Sequence, residues 1–147
     1  TLLPKEKTIP RTATKRESDL WRLMKAGIAK NPRKWRATRI ETWAMPGIPD
    51  VLLCDDVGHF HFVELKATNS KAVDLRPHQV AWLTNHSTAS VWVLVRKIPT
   101  KTFPQKNYLY HGSLAMDLKM EGIKVPPLYY SEGVLDWDTI LELISPR

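Results

Sequence analysis

Two carboxylates and an ammonium group interrupt the most strand-like stretch of the chain. PGIPDVLLCDDVGHFHFVELKA, residues 46–67, carries Asp50, Glu64 and Lys66 among apolar residues. Side chains alternate faces along a strand, so Glu64 and Lys66 project to the same side as Phe60 and Phe62. Burying such charges on an apolar surface is costly unless pairing, hydrogen bonds or a metal ion compensates. A tight turn around residues 56 and 57 brings Asp50 level with Glu64, because both are equidistant from residue 57. Two carboxylates on adjacent strands suit a hard divalent cation such as Mg²⁺, which takes oxygen ligands and keeps several waters.

A third acid comes from helical geometry. Leu20, Trp21, Met24 and Ile28 all fall within about 60° of Glu17 at 3.6 residues per turn, so Glu17 sits in the apolar stripe that faces the sheet. Thr14 and Glu17 also have the spacing of a capping box, which gives the same carboxylate a purely structural reading. Asp19 lies on the outer side of that helix. Glu41 could reach the site from the first strand or pair with a surface Arg, and His78 is either near substrate or solvated. His59 and His61 stand two apart on one strand, which permits zinc; with no Cys or third His close in sequence, two exposed hairpin histidines are expected. Ser and Cys nucleophiles lack a convincing His partner, and no Gly-rich phosphate loop is present, which disfavours covalent hydrolases and nucleotide-driven motors.

The elements that must position these groups follow from pattern. Residues 1–13, with Pro4 and Pro10, read as a basic extended arm, and residues 14–147 as a single domain. A helix runs from Thr14 until Asn31 and Pro32 stop it, its apolar stripe including Leu20, Leu23, Met24 and Ile28. Strands are expected at 37–44, 50–54 and 59–66, with a hairpin turn at Asp55 to Gly58. A second helix begins near Pro77, where the missing N–H costs nothing, and carries Val80, Trp82 and Leu83. Residues 90–97, SVWVLVRK, form a strand apolar on both faces. Beyond a Pro-rich loop come a short strand at Tyr108 to Tyr110, a helix from about Ser113 and a terminal helix from about Asp136. The fold class is α/β: a mixed sheet with helices packed on it. The Trp residues at 21, 43, 82 and 92 are expected in the core.

Charge is unevenly spread. The chain of 147 residues has a net charge of +7, yet residues 1–40 hold 12 Lys or Arg against 3 acids, while the remainder is slightly acidic. Lys30, Arg33, Lys34, Arg36 and Arg39 surround Trp35, which suits either a phosphate backbone beside a stacking aromatic or a solvated basic face over a core tryptophan. No apolar run could span a bilayer, and VWVLV at 91–95 is far too short. TLLPKEKTIPRTATKR lacks the apolar segment of a signal peptide, and the lone Cys54 can form no internal disulfide; an intracellular setting is expected.

Pro49-Asp50 followed by Glu64-Leu65-Lys66 resembles the PD-(D/E)xK nuclease motif. The surroundings are similar to the virus-type replication-repair nuclease (VRR-NUC) branch: Glu17 in the first helix, the P-G-x-P-D turn of Pro46 to Asp50, the V-E-L-K strand of Val63 to Lys66, and Gln79 in the next helix. The likeness covers residues 14 to about 97 and leaves about 98–147 as an uncovered elaboration. It implies a restriction-endonuclease-like core and metal-dependent phosphodiester hydrolysis. Asp50, Glu64, the Leu65 backbone carbonyl and Glu17 would hold Mg²⁺ or Mn²⁺, Lys66 would position or deprotonate the attacking water, and Gln79 would orient the water, a phosphate or Lys66. Lys30, Arg33, Lys34, Arg36, Lys71 and Arg76 would line a DNA groove. The expected activity is a structure-selective endonuclease of DNA repair and recombination that resolves Holliday junctions as a homodimer. Such an enzyme would be cytoplasmic or nucleoid-associated, and a viral gene is one source the resemblance admits. The alternatives are a monomeric nuclease of flaps, ends or nicks, and an inactive nuclease fold that only binds nucleic acid.

Overall fold

Asp55 makes the hairpin that the candidate site depends on. Its carboxylate accepts the backbone N–H groups of Val57 and His59 at 3.0 and 2.8 Å, and Gly58 completes the reversal at φ +91°, a backbone region that glycine enters at little cost. The strands on either side, β2 (Val51–Cys54) and β3 (Phe60–Thr68), pair antiparallel with Val51 opposite Val63 and Cys54 opposite Phe60. One further step along this ladder sets Asp50 opposite Glu64, the register expected from the sequence.

The computed structural model describes residues 15–40 and 45–147. Helix α1 (Lys15–Lys30) leads into β1 (Arg36–Arg39), which pairs antiparallel with β2. After β3 come α2 (Pro77–Asn85), β4 (Val91–Lys97), β5 (Lys106–His111), α3 (Ala115–Glu121), β6 (Tyr129–Glu132) and α4 (Trp137–Ile144). The six strands form one mixed sheet in chain order, β1-β2-β3-β4-β5-β6. Among the described residues only β3 and β4 run parallel, and α2 is the crossover that such a pair requires.

Two apolar layers sandwich the sheet. Leu20, Met24 and Ile28 of α1 and Ile140, Leu141 and Ile144 of α4 bury the face carrying Val51, Leu53, Val63 and Leu65. Val80 and Leu83 of α2 and Ala115 and Leu118 of α3 bury the other, against Val91, Val93, Val95, Tyr108 and Tyr110. Strand alternation therefore assigns Glu64 and Lys66 to the α2 face and Leu65 to the α1 face. No helix among the described residues is long and apolar enough to cross a membrane.

Several expectations shift in detail. β1 spans Arg36–Arg39, while residues 41–44 of the expected strand 37–44, Glu41 and Trp43 among them, lie outside the described residues, as do the arm 1–13 and Thr14. The expected helix at Ser113 opens as a 3-10 turn, Gly112–Leu114, before α3 proper. β6 was not anticipated: YYSE is short and follows two prolines, and it becomes a strand because the β5 edge supplies its ladder, Leu109 opposite Tyr129. Trp35 and Trp92 are buried as core residues, whereas Trp21 and Trp82 are only half-buried, and Leu23 lies at the exposed margin of the α1 stripe.

Candidate active site

The turn before β2 is docked onto α2. Gly47 has φ +96°, and a Cβ there would stand 2.4 Å from the His78 carbonyl oxygen, so only glycine fits both the conformation and the approach. This contact delivers Asp50 to the start of β2, beside β3. The Asp50 carbonyl accepts Ile40 N–H at 2.7 Å, and its carboxylate Oδ2 accepts the Leu65 N–H at 3.0 Å. In an extended strand the N–H and C=O of one residue point to the same side. The Leu65 carbonyl therefore points to the same edge of β3 as that N–H.

Glu64 and Lys66 are only 2% and 7% exposed, and Gln79 only 6%. They form a closed arrangement on the α2 face of the sheet. Gln79 Nε2 donates to Glu64 Oε2 at 2.9 Å, Lys66 Nζ donates to Gln79 Oε1 at 3.1 Å, and Lys66 Nζ lies 3.5 Å from Glu64 Oε2. Gln79 Oε1 also accepts the Arg76 N–H at 2.9 Å. Gln79 stands at the third position of α2, so its side chain folds back to cap the helix while its amide joins the acid and the base. A buried ion pair tolerates desolvation only with such added hydrogen bonds. Phe62 and Trp82, with ring centroids 5.3 Å apart, supply an apolar wall on this face.

Glu17 is half-buried on α1, whose apolar stripe covers the face opposite Glu64 and Lys66. Among the described residues no three of His, Cys, Asp and Glu come close enough to hold a metal ion, so the structure does not gather Glu17, Asp50 and Glu64 into one cluster. The donor set that remains is the Asp50 carboxylate just before β2, the Glu64 carboxylate on β3 and a strand carbonyl. All are hard oxygen ligands, and Mg²⁺ commonly takes one or two carboxylates and completes its shell with water and substrate phosphate. The residues present fit that ion.

The basic residues divide into two kinds. Lys30, Lys34, Arg36, Lys71 and Arg76 are exposed. Arg33 is placed differently: its side chain is 10% exposed and pairs with Asp56 at 3.0 Å and Glu142 at 3.6 Å. It also donates to the Ser145 carbonyl at 2.7 Å and lies over the Trp35 ring. The guanidinium ties the α1–β1 connection to the hairpin turn and to the end of α4, partners too distant in sequence to be foreseen.

His61 corrects a second expectation. It is buried, with Nε2 donating to Asp55 Oδ2 at 3.0 Å and Nδ1 facing Ser90 Oγ at 2.6 Å. Ser90 thus does have a histidine partner, brought to it because β4 runs beside β3. That hydroxyl also receives the Trp92 indole N–H at 2.8 Å, and Asp55 Oδ2 receives the Ser145 hydroxyl at 2.6 Å. The row is a buried strut joining the hairpin, β4 and the end of α4. Burial pushes the Asp55 carboxyl up, but hydrogen bonds from Ser145, His61 and the His59 and Val57 amides outweigh it and hold the group well below its ordinary value.

No protein-family model, curated protein or solved structure matches the chain.

Proposed function

We propose that the protein is a metal-dependent endonuclease that hydrolyses phosphodiester bonds in branched DNA, with a restriction-endonuclease-like core. One observation carries the reading: the Asp50 carboxylate meets the Leu65 N–H, next in sequence to Glu64, and Gln79 links Glu64 to Lys66 on one face of the sheet. A dead site would have little reason to keep two neighbouring carboxylates and a lysine in this arrangement.

Asp50, Glu64 and the Leu65 carbonyl would hold Mg²⁺ or Mn²⁺, with Glu17 acting at most through water. When bound, the ion supplies Lewis acidity toward a phosphate oxygen and lowers the pKa of a water. Lys66 sits next to Glu64, where its ammonium would offset charge building on the phosphoryl oxygens or, deprotonated, would take a proton from the attacking water. The water oxygen forms a new bond to phosphorus, the scissile P–O bond breaks, and the leaving oxygen takes up a proton. Gln79 is a positioning residue, fixing Glu64 and Lys66 relative to each other. Lys30, Lys34, Arg36, Lys71 and Arg76 would contact backbone phosphates, with affinity falling steeply as salt rises.

Resolution of a four-way junction needs two such sites, hence a homodimer. The deciding experiment is cleavage of a labelled four-way junction against linear duplex and a 5′ flap, in Mg²⁺, Mn²⁺ or EDTA, with Lys66→Ala as control. Paired symmetric nicks that require metal and vanish in the variant support a junction resolvase. Cutting confined to flaps or ends leaves a monomeric nuclease, and tight binding with no cutting leaves a nucleic-acid-binding module.

A further inference from the structure

A second basic site lies at the far end of the same sheet face. Lys71, Lys97, Lys106 and Lys124 converge with Phe103, Tyr108 and Ile123 around a pocket of about 350 Å³. The lysines come from the loop after β3, the end of β4, the start of β5 and the 3-10 turn Gly122–Lys124, with Lys97 and Lys106 opposite each other in the ladder. Gly122 locks two walls together. At φ +63° it lies so close to the loop after β3 that a Cβ would stand 2.0 Å from the Lys71 carbonyl oxygen, and that carbonyl accepts Ile123 N–H at 2.9 Å.

None of the four ammonium groups is engaged in an ion pair among the described residues. Glu132, opposite Lys106 in the ladder, instead receives the Tyr130 hydroxyl at 2.7 Å. Phe103 is 58% exposed, with Lys106 Nζ 5.5 Å from its ring centroid. Four uncompensated cations exceed what one phosphate needs and match several phosphates along a strand. An exposed ring beside them offers a face on which an unpaired base can stack, whereas a duplex has no free base face to give. Lys97 lies four ladder positions beyond Val93, the partner of Glu64, which is about 13 Å along the strand direction.

We propose that this pocket binds single-stranded nucleic acid, lysines on the phosphates and a base against Phe103. The site stands whether or not Asp50 and Glu64 support cutting, because binding is measured without metal. The test is fluorescence anisotropy of a labelled oligothymidylate with the full chain in EDTA, across a salt series. Wild type is compared with Lys97→Ala/Lys106→Ala/Lys124→Ala and with Phe103→Ala, each checked for unchanged melting. The expected result is at least a tenfold loss of affinity in each, with the log–log salt slope of the triple variant reduced by about 2, since each phosphate contact on a single strand contributes about 0.7. Unchanged affinity and slope in the triple variant would overturn the proposal. So would a Phe103→Ala variant that binds as wild type, or displacement of the oligonucleotide by inorganic phosphate at equal phosphate concentration.

Discussion

Gln79 donates from Nε2 to Glu64 Oε2 at 2.9 Å, and the direction of that amide is fixed from its other end. Both Lys66 Nζ and the Arg76 N–H donate to Oε1, so a flipped amide would set two donors against an N–H₂ group and remove the donor facing the carboxylate. Helix capping and site geometry are therefore one interaction.

Gln79→Ala should lower metal-dependent cleavage by about 10–100-fold, the usual cost of losing a group that orients a ligand. Helix α2 also loses its folded-back cap, worth about 1 kcal/mol. Single-turnover cleavage at saturating metal, alongside urea unfolding, separates the two effects. A fall in stability with unchanged cleavage would confine Gln79 to the cap.

Asp50 and Glu64 make stability depend on divalent metal if they form a binding site. Mn²⁺ at a hundred times its dissociation constant should stabilise the wild type by about 2.7 kcal/mol, read as a rise in melting temperature. Asp50→Ala should show no rise. An equal rise in both proteins would place the ion elsewhere.

Arg33 and its neighbours Lys34 and Arg36 should behave differently although all are basic and adjacent in sequence. Arg33→Ala leaves Asp56 and Ser145 without their nearly buried partner and should cost about 2–3 kcal/mol. It should not alter the salt slope of duplex binding. Lys34→Ala or Arg36→Ala should leave stability within about 0.5 kcal/mol and reduce that slope by about 1 each. A reduced slope in Arg33→Ala, with stability intact, would contradict the tie seen here.

Gly47→Ala introduces a Cβ against the His78 carbonyl at a positive φ. Strain of this kind costs about 1–3 kcal/mol, and relief by backing the turn away from α2 would displace Asp50. Cleavage should therefore fall by more than the loss of folded protein explains, as measured by activity per folded molecule well below the melting temperature.

The hairpin was legible in the sequence because its information is local. Alternation assigned Glu64 and Lys66 to one face, and counting from residue 57 gives the register of the ladder, Val51 opposite Val63, with Asp50 one step before it. Pro77 and the apolar run after Ser90 marked α2 and β4 for the same reason. What escaped was fixed by contacts remote in sequence. β6 is a strand only because β5 offers an edge, Arg33 is withdrawn from solvent by Asp56 and Ser145, and His61 is buried by a serine 29 residues away. Periodicity puts Glu17 with Leu20, Met24 and Ile28 on α1, but it cannot tell which face of the sheet that stripe will cover.

The Asp55 strut makes acid stability a property of the hairpin. The side chain is fully buried, and Ser145, His61 and two backbone amides donate to it. Its folded pKa is held below the ordinary 3.8, so the unfolded chain takes up a proton first as pH falls. The stabilisation from this carboxylate is complete above that value. It is lost below it, toward the depressed folded value, at about 1.4 kcal/mol per pH unit. Asp56, also lowered, first by its hydrogen bond from Arg33, acts with the same sign. Asp55→Asn keeps the volume but presents an N–H₂ to donors, and should cost about 3 kcal/mol at neutral pH. Its penalty should shrink as pH drops below about 4. Urea unfolding of both proteins between pH 3 and 7 measures this directly, and a penalty constant across that range would show that the ionised form of Asp55 does not hold the hairpin to β4 and α4.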